Sequence, residues 1–424
     1  MARRVVVLTC FIALLAAESG YFVRRCVGSV LRLQGERSFF RNRHVLAWSL
    51  YQKALAWGGD RERLETDMVE LIVFGLDQID AGIAVRTPLP PGDWLAVGKE
   101  LMGRRLAEAP FRAYAWSLVS DLDFHAARLR RKATPIDLGR LSEDPLQNLL
   151  PEDWQALGAL ELATRLEPHN ATYFDLLVEA FVEIGSPRSA APFCREAVAA
   201  LPSLEEHKYL TGPDLPPEML GAALQGFEEA LAQASAHEKA PIEVEAGRLL
   251  ALHNDDGRAL GYFQRASTKA PDFYDPHWEI GMLRFRLQDY GRAAKEFERA
   301  TALFPETPWP NYYLGLSYRA MNRLEDAIVQ FGKAKGKGPG DMRFFYALGE
   351  SLESAHRFRE AERQFVAAAN LSPKDVSAWS ELLAFYVRRG DGRSARGACE
   401  RLLALRPNDQ QYRTECASLE QGEP

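Results

Sequence analysis

A period of 34 residues runs through the second half of this sequence and leaves few architectures open to it. Ala259, Ala293, Ala327, Ala361 and Ala395 fall in one column. Phe263, Phe297, Phe331, Phe365 and Cys399 follow four residues later, and Ala266, Ala300, Ala334, Ala368 and Leu402 three after that. Gly247, Gly281, Gly315, Gly349 and Leu383 precede these columns, and Pro271, Pro305, Pro339, Pro373 and Pro407 close each unit. A fixed period of this length signals stacked repeats rather than one globular core.

Each column has a physical reason. The glycines and alanines are small where two short helices cross closely, because a larger side chain would push them apart. The phenylalanine lies on the same helical face as the two alanines and fills the space between neighbouring units. The proline cannot continue a helix and so punctuates the unit. Helices this short are marginal alone, so the array must fold as a quasi-one-dimensional stack in which each unit buries its apolar face on the next.

Residues 240–409 resemble the tetratricopeptide repeat family, a helix-turn-helix unit with small, aromatic and proline positions in this order. The stretch "YLGLSYRAMNRLEDAIVQFGKA" carries the packing positions Leu314, Gly315, Tyr318, Ala327, Phe331 and Ala334. The resemblance extends backwards: Ala190, Cys194, Ala197 and Pro202 are in step with Ala156, Leu160, Ala163 and Pro168, and Ala223, Phe227 and Ala230 keep the second-helix spacing. "TGPDLPPEM" interrupts the first helix of that last unit, and Ala47, Tyr51 and Ala54 repeat the spacing near the N-terminus. The expected fold is all-α: a right-handed superhelical solenoid of helix-turn-helix hairpins, preceded by an N-terminal transmembrane or signal segment. Its expected divisions are 1–23, a signal anchor or signal peptide; 24–61, a degenerate hairpin; 62–150, a divergent helical region; 151–239, degenerate repeats; 240–409, five regular repeats; and 410–424, a polar capping helix and tail.

The resemblance also implies where binding occurs. In the family the first helix of each unit lines a concave groove, and its groove-facing positions map here onto Trp278, Met282, Phe285, Trp309, Tyr312, Leu316 and Tyr346, with Arg248, Arg286, Arg319, Arg343 and Arg388. Aromatics and arginine carry much of the energy at interfaces. Three readings stay open: a groove for an extended peptide or apolar helix, aromatics that pack between helices, and aromatic platforms for a polysaccharide. Family members that clamp acidic chaperone tails use lysines and asparagines at these positions, and this sequence does not supply that set.

The N-terminus points to a membrane. In "MARRVVVLTCFIALLAAESGYFVRR" two arginines precede the apolar or small residues Val5 to Ala17, and apolar character resumes at Tyr21-Phe22-Val23. The shorter run suits a signal peptide, and the full span approaches the roughly 20 residues that cross a bilayer. An uncleaved anchor is the expectation, a removed signal or a buried globular helix the alternatives. Arginines flank both ends, so positive charge would hold the C-terminal side in the cytoplasm, whereas the N-terminal pair followed by an apolar run reads as an export start. The repeat domain is expected to be exported or periplasmic, with a cytoplasmic-facing arrangement as the other reading.

Little in the chain speaks for chemistry. The net charge of −6 over 424 residues gives no footprint for a nucleic-acid backbone. Five cysteines lie far apart with no C-x-x-C, so neither a disulfide scaffold nor a zinc site is signalled. Cys399 sits in the aromatic column and Cys416 in the following helix, where repeat geometry brings the two faces together; a disulfide between them is one reading if the domain is exported, two free thiols the other, and the sequence does not choose the pairing. "GKAKGKGPGD", Gly332 to Asp341, lacks phosphate-loop spacing and falls where one repeat hands over to the next. "SDLDFH" places Asp121 and His125 on one helical face, with Asp123 nearby and no second histidine for a metal. "HNDDGR", His253 to Arg258, has the composition of an interhelical turn. No G-x-S-x-G, H-E-x-x-H or dinucleotide fingerprint occurs, and neither catalysis nor a cofactor nor a metal is expected. The expected role is a membrane-anchored adaptor binding a protein or peptide partner in an envelope, secretion or polysaccharide assembly. The alternative is an accessory domain of an enzyme system with its site in 62–150.

Overall fold

The computed structural model describes residues 29, 31–39, 43–56, 60–81, 83, 87–108, 113–133 and 144–420. Among these, all regular structure is helical: twenty α-helices and two short 3-10 turns. The expected membrane segment, 1–23, lies outside the described residues, and among those described no helix is long and apolar enough to cross a membrane. The chain divides into two units, Met1–Ala230 and Leu231–Pro424.

In the first unit, α1 (31–39) is followed by α2 (His44–Ala56). Gly35 lies directly beneath the ring of the fully buried Tyr51, so that any Cβ there would collide with it. The next helices, α3 (Arg61–Asp80), α4 (Pro91–Glu108) and α5 (Ala113–Ala133), pack in sequence. Gly75 takes the same place beneath the buried Trp94. The divergent region therefore keeps the glycine-under-aromatic contact across a wider interval, 19 residues rather than 16. Helix α5 packs along α6 (Pro151–Leu166), so the boundary expected at 150/151 runs through a helix pair. Helices α7 (Ala171–Ile184) and α8 (Pro187–Ala200) form the next hairpin.

The unit after it lacks a first helix. Between α8 and α9 (Pro217–Gln233) the chain makes only a 3-10 turn, Lys208–Thr211. His207 pins this segment: it is fully buried, with Nδ1 2.7 Å from Asp175 Oδ1 and Nε2 2.7 Å from the Leu201 carbonyl. Tyr209 donates to the same Asp175 oxygen at 2.8 Å. Helix α9 then lies against α8 backbone to backbone, since a Cβ on Gly226 would sit 2.5 Å from the Arg195 carbonyl oxygen and 3.1 Å from the Ala199 nitrogen.

The second unit holds five regular hairpins: α10 (Lys239–Leu252) with α11 (Asp256–Lys269), α12 (Tyr274–Arg286) with α13 (Tyr290–Leu303), α14 (Trp309–Ala320) with α15 (Leu324–Lys337), α16 (Met342–Ser354) with α17 (Phe358–Leu371), and α18 (Val376–Arg389) with α19 (Gly392–Leu405). The helix α20 (Gln410–Glu420) packs on α19. Within each of the first four hairpins the glycine sits beneath the phenylalanine of its own unit: a Cβ on Gly247, Gly281, Gly315 or Gly349 would come within 2.5, 2.6, 2.7 or 3.1 Å of Phe263, Phe297, Phe331 or Phe365. These glycines thus serve the ring of their own hairpin.

The fifth hairpin inverts the sizes. Leu383 replaces glycine, Cys399 replaces phenylalanine, and both are buried in one apolar cluster. In the first unit the buried Val178 and Cys194 make the same exchange in the same 16-residue register. Cys399 is joined to Cys416 by a disulfide with Cα atoms 5.7 Å apart, tying α20 to the last hairpin.

The turn inside each hairpin also follows the period. Asn254, Gln288, Asn322 and His356 have φ of 60° to 61°, and Gly390 completes the column at 69°. The left-handed residue reverses the chain after the first helix, and an aspartate one residue on caps the second helix in three units. Asp255, Asp289 and Asp391 accept from the backbone N–H of Arg258, Arg292 and Ser394.

Candidate functional site: the first-helix face of the second unit

The first helices α12, α14 and α16 place Trp278, Tyr312 and Tyr346 at one register position, 34 residues apart, and Met282 and Leu316 one turn further on. All five are half-buried, and all five pack against the core of the array. The face is therefore partly wall and partly surface. Trp278 contacts Phe297 and Tyr313 with ring centroids 5.7 and 5.5 Å apart, and Phe285 contacts Tyr313 at 5.6 Å. Tyr312 meets Tyr313, Phe344 and Trp309 at 5.4, 5.5 and 5.9 Å. One chain of mostly edge-to-face aromatic contacts thus spans three repeats, and Tyr313, absent from the sequence-based set, stands at its centre.

Neither indole nitrogen of Trp278 and Trp309, nor the hydroxyl of Tyr312 or Tyr313, is among the buried polar atoms left without a hydrogen-bond partner. Burial raises the pKa of Tyr312 and, ahead of the nearby Asp375 and Glu381, pushes Tyr346 up to about 12. Both hydroxyls keep their protons at neutral pH.

The arginines behave differently from what their number suggests. Arg248 Nε lies 2.7 Å from Glu279 and its Nη1 2.8 Å from Glu245. Arg319 pairs with Glu350, Arg388 with Glu353 at 2.9 Å, and Arg286 with Asp256. Arg343 bonds Asp341 at 2.7 Å while its guanidinium lies 4.4 Å from the centre of the Trp309 ring. Four of these five arginines bridge to the neighbouring repeat. The pairs Arg248 to Glu279 and Arg319 to Glu350 share one 31-residue spacing, a signal legible in the sequence but masked by the choice of aromatic and basic residues alone. Partly exposed pairs of this kind contribute up to about 1 kcal/mol each, and their main effect is to cancel charge along the face.

A family model described as "Tetratricopeptide repeat" matches residues 279–341 and 346–410. No curated protein matches the chain. Solved structures similar to it include residues 41 to the end of MamA from Desulfovibrio magneticus RS-1, at 19% identity over 42% of this chain and 99% of that one, with a TM-score of 0.38. YrrB, titled a TPR protein with an unusual peptide-binding site, is 19% identical over 46% of this chain and 98% of its own, TM-score 0.39. The C-terminal part of a TPR repeat-containing protein from Cytophaga hutchinsonii is 14% identical over 62% and 93%, TM-score 0.43.

The other motifs resolve into structural roles. In "SDLDFH" the residues part company: Asp123 pairs with Lys99, whereas His125 is held between Asp80 at 2.9 Å and Asp77 at 3.2 Å. Asp121 is raised to about 7, by burial first and then by Asp77. No set of three metal-ligating side chains comes together among the described residues. In "GKAKGKGPGD" the lysines turn back onto neighbouring helices, Lys335 to Gln364 at 3.0 Å and Lys337 to the buried Asn311. A cavity of about 590 Å³ opens in the first unit beside Glu36, Asp67, Glu70, Arg105 and Tyr114. Its charges are tied up locally: Arg32 bridges Glu36 and Asp67, Arg105 meets Glu62, and Tyr114 donates to Glu70.

Proposed function

We propose that the chain is a non-catalytic protein–protein interaction scaffold that holds a polypeptide partner on the first-helix face of its second unit. The carrying observation is the half-exposed row Trp278, Tyr312 and Tyr346 with Met282 and Leu316 beside it. Apolar and aromatic side chains left partly accessible on successive repeats are the usual composition of a contact site.

Photo-crosslinking tests the reading directly. A photoreactive residue replacing Leu316 or Met282 is expected to give a discrete adduct with a partner chain, whereas one replacing Val329, exposed on a second helix, is not. Adducts from Val329 and none from Leu316 would move the site off this face.

The location forms part of the same proposal. We place the repeat domain outside the reducing cytoplasm, held at the membrane by residues 1–23, because the Cys399–Cys416 disulfide needs an oxidising compartment to persist. A partner in an envelope, secretion or polysaccharide assembly suits that setting. Thiol labelling of the protein isolated without reductant checks it: both thiols blocked supports export, both reactive places the domain in the cytoplasm.

A further inference from the structure

We propose that His277 is a proton-operated brace at the root of the docking face: it holds the start of α12, and with it Trp278, while both of its ring nitrogens carry a proton, and lets go as pH rises. The regulatory part of this inference rests on the docking face proposed above. The ring is buried, 2% exposed, and each nitrogen meets an acceptor. Nε2 lies 3.1 Å from the Pro271 carbonyl in the turn before α12, and Nδ1 lies 2.7 Å from Glu296 Oε2 on α13. A carbonyl oxygen only accepts, so a neutral ring bonded to it must carry its one hydrogen on Nε2, which sets the Nδ1 lone pair against a carboxylate. A second proton removes that clash and makes both contacts donor to acceptor.

The arrangement recurs. His207 has Nδ1 2.7 Å from Asp175 and Nε2 2.7 Å from the Leu201 carbonyl, six residues back as Pro271 is from His277. Trp379, three periods after His277, donates its indole N–H to the Pro373 carbonyl, again six residues back, at 3.1 Å. Tryptophan has one N–H for this carbonyl and nothing to titrate; histidine adds a second contact that depends on a proton. His44 shows the contrast: it is buried too, but its Nδ1 has no partner and burial lowers its pKa.

Among the described residues Glu296 is the one charged group that reaches the His277 ring. The other charges on the helices around α12 are engaged elsewhere. Arg248 of α10 is held by Glu245 and by Asp275 and Glu279 of α12 itself, and Glu243 of α10 by Arg265 and Lys269 of α11. Glu298 of α13 accepts from Tyr318, and Arg319 of α14 pairs with Glu350. No neighbouring cation therefore replaces the proton once it leaves. The next residue, Trp278, packs on Phe297 of α13, and Met282 and Phe285 follow on the same helix. Releasing the brace loosens the part of the face that α12 supplies and leaves Tyr312 and Leu316 on α14 in place.

The test uses the full-length protein with its histidine ring nitrogens labelled. Long-range proton–nitrogen NMR spectra are expected to show two N–H groups on His277 at about pH 5 and one at about pH 9, on either side of the ordinary imidazole range. The ring is assigned by its absence in His277→Gln or, should that variant not fold, as the ring whose titration Glu296→Gln moves to lower pH. Over the same interval, hydrogen exchange of the α12 amides, corrected for the intrinsic effect of pH, should rise about 10- to 100-fold, the loss of one charge-assisted bond. The α14 amides should not follow, and His277→Gln should abolish the step. A photoreactive residue replacing Met282 should lose its partner adduct as pH rises, while one replacing Leu316 keeps it. The same number of N–H groups at both pH values, or a titration that leaves α12 exchange unmoved, overturns the brace. A step in α12 exchange with no adduct from either position keeps the brace and removes the docking face.

Discussion

The reciprocal sizes at the glycine and phenylalanine columns can be tested by transplanting them. In the third regular hairpin, Gly315 lies beneath Phe331, which is fully buried, and a Cβ would approach its ring to 2.7 Å. Gly315→Val alone must push the ring or the backbone, an overpacking cost of about 1 to 3 kcal/mol, reduced slightly by the better helix propensity of valine. Phe331→Cys alone removes most of a buried ring and should cost about 3 to 4 kcal/mol. If the two columns were independent the double variant would lose about 4 to 7 kcal/mol, enough to unfold the hairpin locally. The first unit, however, uses Val178 with Cys194 in the same register, both buried. The double variant Gly315→Val/Phe331→Cys should therefore recover about 2 kcal/mol or more as a coupling energy, at the upper end for residues in contact. Repeat arrays need not unfold in one step, so the assay is native-state hydrogen exchange of the α14 and α15 amides in the two single variants and the double. A coupling energy near zero would show that the valine and cysteine columns are unrelated substitutions and that the size exchange is coincidence.

Further consequences follow from single sites. Gly226→Ala sets a Cβ against the Arg195 carbonyl and the Ala199 nitrogen, neither of which can swing aside, so thermal melting should fall well beyond the small effect of Gly103→Ala, where a Cβ meets nothing. Gln288→Gly relieves a left-handed residue at φ 61° and should raise stability by about 1 kcal/mol in urea denaturation, whereas Gly390→Ala should lower it similarly. For pH, Asp121 is raised from 3.8 to about 7 and His207 is raised above 6.5, burial opposing and the Asp175 bond favouring its charged form. Both folded values exceed the unfolded ones, so the contribution of these two groups to stability is full in acid and is lost as pH rises through their folded values. Asp121→Asn should flatten the part of that fall between pH 4 and 7, as read by chemical denaturation at stepped pH. Cys416→Ser opens a loop of 17 residues and should cost about 3 kcal/mol, with hydrogen exchange rising first in α20.

The hairpins of the second unit were legible because the period repeats the same packing problem five times, and each column carries a residue type that only that problem explains. The disulfide was only half legible: Cys399 stands where a ring should be, but the sequence left open whether it pairs with Cys416, which the structure joins to it. The left-handed turns were half legible. Asn254, Asn322, His356 and Gly390 are residue types such a turn favours, but Gln288 is not; there the array imposes the conformation against local preference. The pairing of α5 with α6 was hidden because the chain between them, 134–150, has no repeat signature to mark the interval. The missing helix before α9 showed as a proline-rich interruption, but its replacement by the His207 lock depends on Asp175, 32 residues away and outside any column.

The site was harder to read than the fold, and the reason lies in how the repeat packs. A groove position names which way a side chain points, and says nothing of what stands opposite it in the next unit. The sequence therefore left open whether the aromatics face a groove or pack between helices, and Trp278 and Tyr312 do both in part, packing on Phe297 and Phe331 while half-buried. The arginines came through as free cations when a glutamate one turn earlier in the following repeat already neutralises Arg248 and Arg319. Both effects have the same origin: in a stack each first helix is both a surface and its neighbour's interface, so charge and apolar area are committed before any partner arrives. What remains uncommitted is the accessible part of the half-buried rings, and it is this aromatic edge, rather than the charge, that distinguishes this face.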